Sequence, residues 1–166
     1  MQSELQTAAK RFTGLAEEFC KIVDSAERMT VPVFLAELNR NLPHLYGAGV
    51  RLPEVEKEDF EPTPPFDHHK VWQPLYKFLQ DKLGSEEQYW EVFDPTEKEE
   101  AIPHSLADDI ADIYCDLKRG FAVLEARGPL VNAVWEWQFG FWSHWGQHAV
   151  SALRAIHHIR AKLIDE

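Results

Sequence analysis

The sequence predicts an all-α fold, a single-domain bundle of about five main helices with one long proline-rich connection. Three observations support this prediction. Apolar residues recur every three or four positions through most of the chain, which is the spacing of an amphipathic helix. The alternating pattern of a half-buried strand is almost absent. Glycine, proline and N-capping residues fall at the ends of the periodic segments and divide them into separate helices.

The first two helices are predicted from this spacing and from the residues that separate them. Residues 2–28 form one amphipathic segment, and Thr30 followed by Pro32 starts a shorter helix. Pro43 is expected to break or bend this second helix, because proline lacks the backbone N–H that a helix interior requires. Residues 46–66 contain two glycines and four prolines among acidic residues, which predicts a long surface connection.

A third helix is predicted from about Asp67, because the apolar residues between Val71 and Leu83 share one side. Gly84 is expected to cap its end. The short segment YWEVFDP and the charged loop TEKEEAIPHS follow, and neither has a helical pattern.

The C-terminal half contains the two clearest helices, over residues 105–126 and 130–164. Ser105 and Asp108 resemble a capping box at the start of the first, and Gly128-Pro129 ends it. The apolar arc of the second is so wide that the helix must pack on more than one side. We therefore expect residues 130–164 to form the most buried helix.

The stretch WEWQFGFWSHWGQH, residues 135–148, contains four of the six tryptophans of the chain. Each tryptophan is expected to pack in the core, Trp137 among them, where a large ring fills the space between helices. Gly140 and Gly146 are unfavourable inside a helix, so they predict places where a ring or a neighbouring helix approaches closely.

Polar side chains also point toward the apolar side of this helix. His148 and, one turn earlier, His144 share a column, and Gln138 points inward as well. A buried imidazole must be hydrogen-bonded, so His148 is expected to be largely buried and bonded to a carboxylate of the 105–126 helix. Two histidines four residues apart can also bind one metal ion, but a structural role is favoured.

Acidic side chains line one flank of the 105–126 helix, at Asp109, Asp112 and Asp116. Acids in the first turn favour the helix dipole, but Asp112 and Asp116 lie too deep for that explanation. A solvated face and a face that holds a cation or an imidazole both remain open. No metal and no cofactor is assigned, and the candidate metal ligands are His144, His148 and Asp112.

Composition limits the partners and the compartment. The formal net charge of −11 argues against nucleic acid and anionic lipid, and it leaves an unknown protein or a small molecule as the partner. The two cysteines, Cys20 and Cys115, lack a paired spacing and are expected to be free thiols in a reducing cytoplasm. The N-terminus lacks a signal-peptide core, and no run approaches the ~20 apolar residues of a membrane span. The whole chain, 1–166, is expected to form one helical domain.

Known catalytic motifs do not explain the polar residues. DDIAD matches the acidic motif of prenyl-diphosphate enzymes only superficially, because a second, facing copy is missing. The Glu-x-x-His pairs of di-iron bundles are absent, as are HExxH, P-loop, GxSxG and GxGxxG patterns.

Three blocks of the sequence together resemble the family called domain of unknown function 5063. These blocks are YWEVFDP at 89–95, SLADDIADIYCDLKRG at 105–120 and AVWEWQFGFWSHWGQHAVSALRAIH at 133–157. The resemblance covers the C-terminal half most closely. It implies an all-helical fold and a bacterial origin, and it carries neither a reaction nor a catalytic residue to this chain.

Three functions are compatible with the sequence. A non-catalytic interaction or scaffold module ranks first, because the chain lacks a recognised catalytic pattern and is dense in aromatic residues. A metal-dependent hydrolase would place the two histidines opposite the three aspartates across a helix pair. A small-ligand pocket lined by tryptophans would use the same polar residues to orient its ligand.

Overall fold

Helices form nearly all of the regular structure in the computed structural model, which describes residues 2–62 and 65–165. The helices of the described chain are α1 Gln2–Asp24, α2 Val31–Gly49, α3 His68–Leu83, α4 Leu106–Glu125, α5 Leu130–Gly140 and α6 Gly146–Asp165. A π-helical turn, Phe141–Trp145, joins α5 and α6 without a break. The predicted all-α, single-domain class is therefore confirmed, with α5 and α6 forming one long helix in the predicted position.

The predicted helix ends are confirmed at the capping residues. Ser105 Oγ accepts a hydrogen bond from the N–H of Asp108 at 3.1 Å, and Asp67 Oδ1 accepts one from the N–H of Lys70 at 3.2 Å. Gly84 ends α3 with a φ of +56°, a conformation that glycine adopts without steric cost.

Two boundaries differ from the predictions. α1 ends at Asp24, and residues 26–28 form a short 3₁₀ turn. Pro43 does not break α2, because Leu42 and Leu45 are both buried and hold the following turn against the core. The predicted connection therefore begins after α2 ends, and Thr63 and Pro64 within it lie outside the described residues.

A small antiparallel hairpin, which the helical pattern did not predict, lies between α3 and α4. Its strands are β1 Gln88–Glu91 and β2 Ile102–Ser105, with Gln88 opposite Ser105 and Glu91 opposite Ile102. The N–H of Leu106 donates to the carbonyl of Glu87 at 2.8 Å, so the hairpin is attached directly to the start of α4.

α4 is the most buried helix, so the prediction that residues 130–164 hold this place is wrong. α4 packs against α1, α3, α5 and α6, and Glu125 is its one exposed residue. The apolar surface of the long C-terminal helix is wider than the surface that the neighbouring helices contact, so part of it stays exposed. Its Trp142 is 67% exposed, against the expectation that each tryptophan would pack in the core.

Trp137 and Trp145 form the aromatic centre of the core, and both are fully buried. The indole N–H of Trp137 donates to the Leu117 carbonyl at 2.9 Å. The Trp137 ring lies so close to α4 that a Cβ built on Gly120 would meet it at 2.1 Å. The predicted close approaches of a ring at Gly140 and Gly146 are confirmed, because Cβ atoms there would lie 3.1 Å from the ring of Trp145 and 3.1 Å from the ring of Phe141, respectively.

Cys20 and Cys115 are buried free thiols, as predicted. Within the described part of the chain, no helix combines the length and apolar character that crossing a bilayer requires.

Candidate functional site

Three aspartates on one face of α4 lie opposite two histidines of the C-terminal helix. Asp109, Asp112 and Asp116 are 2%, 9% and 4% exposed, so the alternative of a solvated acidic face is wrong. His144 belongs to the π-helical turn and His148 to the first turn of α6. We call these five residues the His/Asp site. A buried carboxylate must be paired with a positive or hydrogen-bonding group or bound to a cation, so each of the three aspartates needs such a partner.

Each histidine is held by a carboxylate through its Nδ1 atom. His144 Nδ1 lies 2.8 Å from Asp116 Oδ2, and His148 Nδ1 lies 2.8 Å from Asp109 Oδ1. The expected bond between His148 and a carboxylate of the 105–126 helix is therefore present, and 22% of the His148 side chain is exposed. A neutral imidazole that donates its Nδ1–H leaves the lone pair on Nε2 available for another partner.

The two Nε2 atoms face the same oxygen of Asp112. Asp112 Oδ2 lies 3.4 Å from His148 Nε2 and 3.9 Å from His144 Nε2. One ligand atom from each of the three residues lies within 4.8 Å of the other two. Metal bonds of about 2.0–2.1 Å place tetrahedral ligands about 3.4 Å apart, so a small contraction of the cluster would give that geometry.

Two further residues of the site were not singled out by the sequence. His68, in the first turn of α3, places Nε2 3.8 Å from Asp112 Oδ1. The Tyr89 hydroxyl, on β1, donates to Asp109 Oδ2 at 2.6 Å. His68 begins a helix distant in sequence, and Tyr89 lies on a strand with no predicted pattern, so no local signal relates either residue to α4.

The pKa values of Asp109, Asp112, His144 and His148 are all raised, although the causes differ between the aspartates and the histidines. Burial raises the pKa of Asp109 and of Asp112, against the opposing effect of His148. The hydrogen bond that Asp116 accepts from the His144 imidazole raises the pKa of His144. Burial opposes protonation of His148, but the hydrogen bond and charge of Asp109 outweigh it and raise that pKa as well. These four groups therefore hold protons more readily than they would in water.

The π-helical turn shapes the histidine side of the site. The N–H of Gly146 bonds to the carbonyl of Phe141, five residues earlier, and a side chain at Gly146 would collide with that carbonyl. π-Helical turns inside α-helices occur frequently at functional sites. The turn coincides with His144, which supports a functional interpretation of the cluster.

Comparison with known proteins establishes the family. The family model described as domain of unknown function 5063 matches residues 3–162, nearly the whole chain. The chain belongs to this family. The resemblance predicted from the three sequence blocks is thereby confirmed.

A solved structure supports the fold of this family member. The chain is similar to the crystal structure of protein BF1032 from Bacteroides fragilis, with 26% sequence identity and a TM-score of 0.76 over 90% of this chain and 89% of that chain. A search of curated proteins gives no match.

Trp137 and Gln138 were also predicted to line the pocket, but neither belongs to the His/Asp site. Trp137 packs in the core, where its ring contacts Phe12 and Phe121. Gln138 is half-buried, and within the described ranges no hydrogen bond connects it to the cluster. The aspartates and histidines are thus the predicted residues that the fold brings together.

A cavity of about 180 Å³ adjoins the His/Asp site. Asp109, His144 and His148 form part of its wall, and the other lining residues are Glu91, Phe93, His104, Ser143, Gln147 and Ser151. The histidines therefore border a space large enough for a small molecule.

Proposed function

We propose that the His/Asp site binds one divalent transition-metal cation through Asp112 Oδ2 and the Nε2 atoms of His144 and His148. The observation that carries the proposal is that one ligand atom from each of these three residues lies within 4.8 Å of the other two, with both Nε2 atoms within 3.9 Å of Asp112 Oδ2. Two imidazoles and one carboxylate form a ligand set suited to zinc, iron or manganese.

The partners behind the ligands support this assignment. A metal-binding histidine normally donates its other N–H to a carboxylate or carbonyl, which fixes the ring and raises its basicity. Asp116 and Asp109 stand in this relation to His144 and His148, each at 2.8 Å.

His68 approaches the carboxylate ligand, Asp112, at the oxygen that the other two histidines do not face. Its Nε2 approaches Asp112 Oδ1, while the ligand group uses Oδ2. His68 does not join the group of convergent ligand atoms among the described residues. Its role in the proposal is to orient Asp112.

Charge also favours a cation at this position. Three buried carboxylates carry a formal charge of −3, and neutral imidazoles, which metal binding requires, do not offset it. A divalent cation between them leaves a formal charge of −1 on these groups, and Arg119, with Nη2 3.9 Å from Asp116 Oδ1, offsets part of the charge from the other side. Tyr89 supplies an additional hydrogen bond to Asp109, which shares the remaining charge.

The proposed site has the composition of a catalytic rather than a structural centre. Structural zinc sites close with four protein ligands, whereas catalytic ones keep a position open. Here three ligands converge, and the adjoining cavity borders both histidines. A cation held in this way supplies Lewis acidity, so the function we propose is that of a metal-dependent hydrolase acting on a small molecule.

A second candidate function, the interaction module that ranked first from sequence, is favoured by exposed aromatic side chains. Trp90, Phe93, Phe139 and Trp142 are all at least half exposed. Large exposed aromatics are typical of protein interfaces. This function does not account for the convergence of the ligand atoms, so we place it second.

Calorimetric titration of the metal-free protein with zinc and, separately, with manganese tests the proposal. We expect one binding event per chain for at least one of the metals, and its loss in both His148→Ala and Asp112→Ala. His157→Ala is the matched control, because His157 is an exposed histidine on the same helix, outside the site. Equal binding by all four proteins would contradict the proposal, as would no binding of either metal by the wild type.

A further inference from the structure

The cavity beside the His/Asp site has a wall that the metal proposal leaves unused. Glu91, the last residue of β1, lines this wall, and 11% of its side chain is exposed. Ser143, Gln147 and Ser151 contribute uncharged polar groups to the same cavity. The hairpin and the C-terminal helix thus border a small space that has histidines on one side and a carboxylate on another.

Two acidic side chains line this cavity. Asp109 and Glu91 are its two carboxylates, and none of the described residues that line it is lysine or arginine. Asp109 already accepts from Tyr89 and contacts His148, so its oxygens are occupied. Glu91 is therefore the carboxylate that remains for a ligand.

The one ion pair of Glu91 in the described structure is loose. Arg154 Nη1 lies 3.6 Å from Glu91 Oε1, and 75% of the Arg154 side chain is exposed. An ion pair with such an exposed arginine stabilises the carboxylate only weakly, because solvent screens the charge and the long arginine side chain loses conformational freedom. A mostly buried carboxylate with such a weak partner favours a ligand that brings its own positive charge.

We propose that this cavity binds a small molecule that carries an amino group, with the ammonium paired to Glu91 and the rest of the molecule extending toward His144 and His148. The aromatic ring of Phe93, which lines the same cavity, is a suitable neighbour for a cation. The inference deepens the proposed function by naming the substrate class as small hydrolysable molecules that carry an amino group, and as a substrate site it rests on that function. In the metal-free protein, small anions such as free carboxylates meet the like charges of Asp109 and Glu91, so we expect them to bind more weakly than the amine.

The test compares three probes of matched size that differ in charge: 2-aminoethanol, ethylene glycol and glycolate. Each is titrated at constant ionic strength into the isotopically labelled metal-free protein, and binding is followed by amide chemical shifts in NMR spectra. We expect 2-aminoethanol to bind most tightly and to shift the amides of Glu91, Phe93, Ser143 and Gln147. Removing the charge in Glu91→Gln should weaken its binding by about tenfold, the loss of one charge-assisted hydrogen bond.

Two further variants keep the test decisive. Glu86→Gln is the matched acid control, because Glu86 lies beside the same hairpin but lines a separate groove. Arg154→Ala removes the competing cation and should strengthen 2-aminoethanol binding, so it tests the inference even if Glu91→Gln does not fold. Glycolate binding as tightly as 2-aminoethanol, or equal amine affinity in Arg154→Ala and the wild type, would overturn the inference.

The outcome is separable from that of the metal proposal, because the ammonium contact with Glu91 does not need a metal. Amine binding that depends on Glu91, in a protein that binds neither zinc nor manganese, would support the cavity assignment and contradict the metal site. Metal binding without amine binding would support the metal site and contradict the cavity assignment.

Discussion

Replacing Asp109 by asparagine separates the metal-site hypothesis from a purely structural one. Asp109 Oδ1 contacts His148 Nδ1 at 2.8 Å, and Oδ2 accepts from the Tyr89 hydroxyl at 2.6 Å. Asparagine keeps the shape but replaces one acceptor oxygen with an N–H₂ donor and removes the charge. One of the two hydrogen bonds must therefore be lost or rearranged, and His148 loses the anion that makes its Nε2 more basic.

The expected loss follows from the position of Asp109 behind a metal ligand. Removing such a partner costs about 10–100-fold in metal affinity, or about 1.4–2.7 kcal/mol. The assay is a zinc titration of wild type and Asp109→Asn in competition with a fluorescent chelator at one pH. A variant that retains the wild-type unfolding temperature but loses this affinity would assign the effect to the site.

Asp108→Asn is the matched control for this comparison. Asp108 is the neighbouring acid in the same first turn, carries the same charge, and is only half-buried. Its replacement removes the same long-range charge without removing a contact to a proposed ligand. Equal zinc affinity in the two variants would refute the reasoning, because the contact with His148 would then contribute nothing.

The remaining predictions concern packing, cysteine reactivity and pH. Gly120→Ala should destabilise the protein by roughly 1–3 kcal/mol or more in denaturant unfolding, since the new Cβ would collide with Trp137. Gly14→Ala has open space around the new Cβ and should stabilise the protein by up to about 1 kcal/mol. Equal effects of the two substitutions would contradict the described packing of Trp137 against α4. Burial raises the pKa of Cys20 and of Cys115 to about 12, so both should resist alkylation at about pH 8 until the chain unfolds, and rapid modification of the folded protein would contradict this. The metal-free protein should melt at a higher temperature near pH 6 than near pH 8. Both site histidines have raised pKa values, so the stabilisation is complete below about pH 6.5 and is lost as the pH rises through those values; a melting temperature that does not fall over this range would refute it.

The helices and their caps could be predicted because their signals are local. The Ser105 cap, the Asp67 cap and the Gly84 end each depend on residues within one turn. The wide apolar arc of residues 130–164 correctly indicated packing on several sides. It could not show that the neighbouring helices leave Trp142 uncovered, because that depends on how many helices surround each segment.

The site could be predicted only in part, for a related reason. Helical periodicity placed the aspartates in one column and His144 and His148 in another, but no local signal says that two columns face each other. His68, on α3, reaches Asp112 although the two residues are more than forty positions apart in the sequence, and Tyr89 reaches Asp109 from a strand. Such contacts arise from the packing of α3 and the hairpin against α4, which the sequence of a single chain does not reveal.

The most direct measurement of the central claim is an anomalous diffraction map of crystals grown with zinc, recorded at the zinc absorption edge. The account predicts one dominant peak per chain, about 2.0–2.1 Å from Asp112 Oδ2 and from the Nε2 atoms of His144 and His148. A zinc-saturated crystal without a peak at this position, or with its only peak at the exposed pair His157 and His158, would contradict the claim.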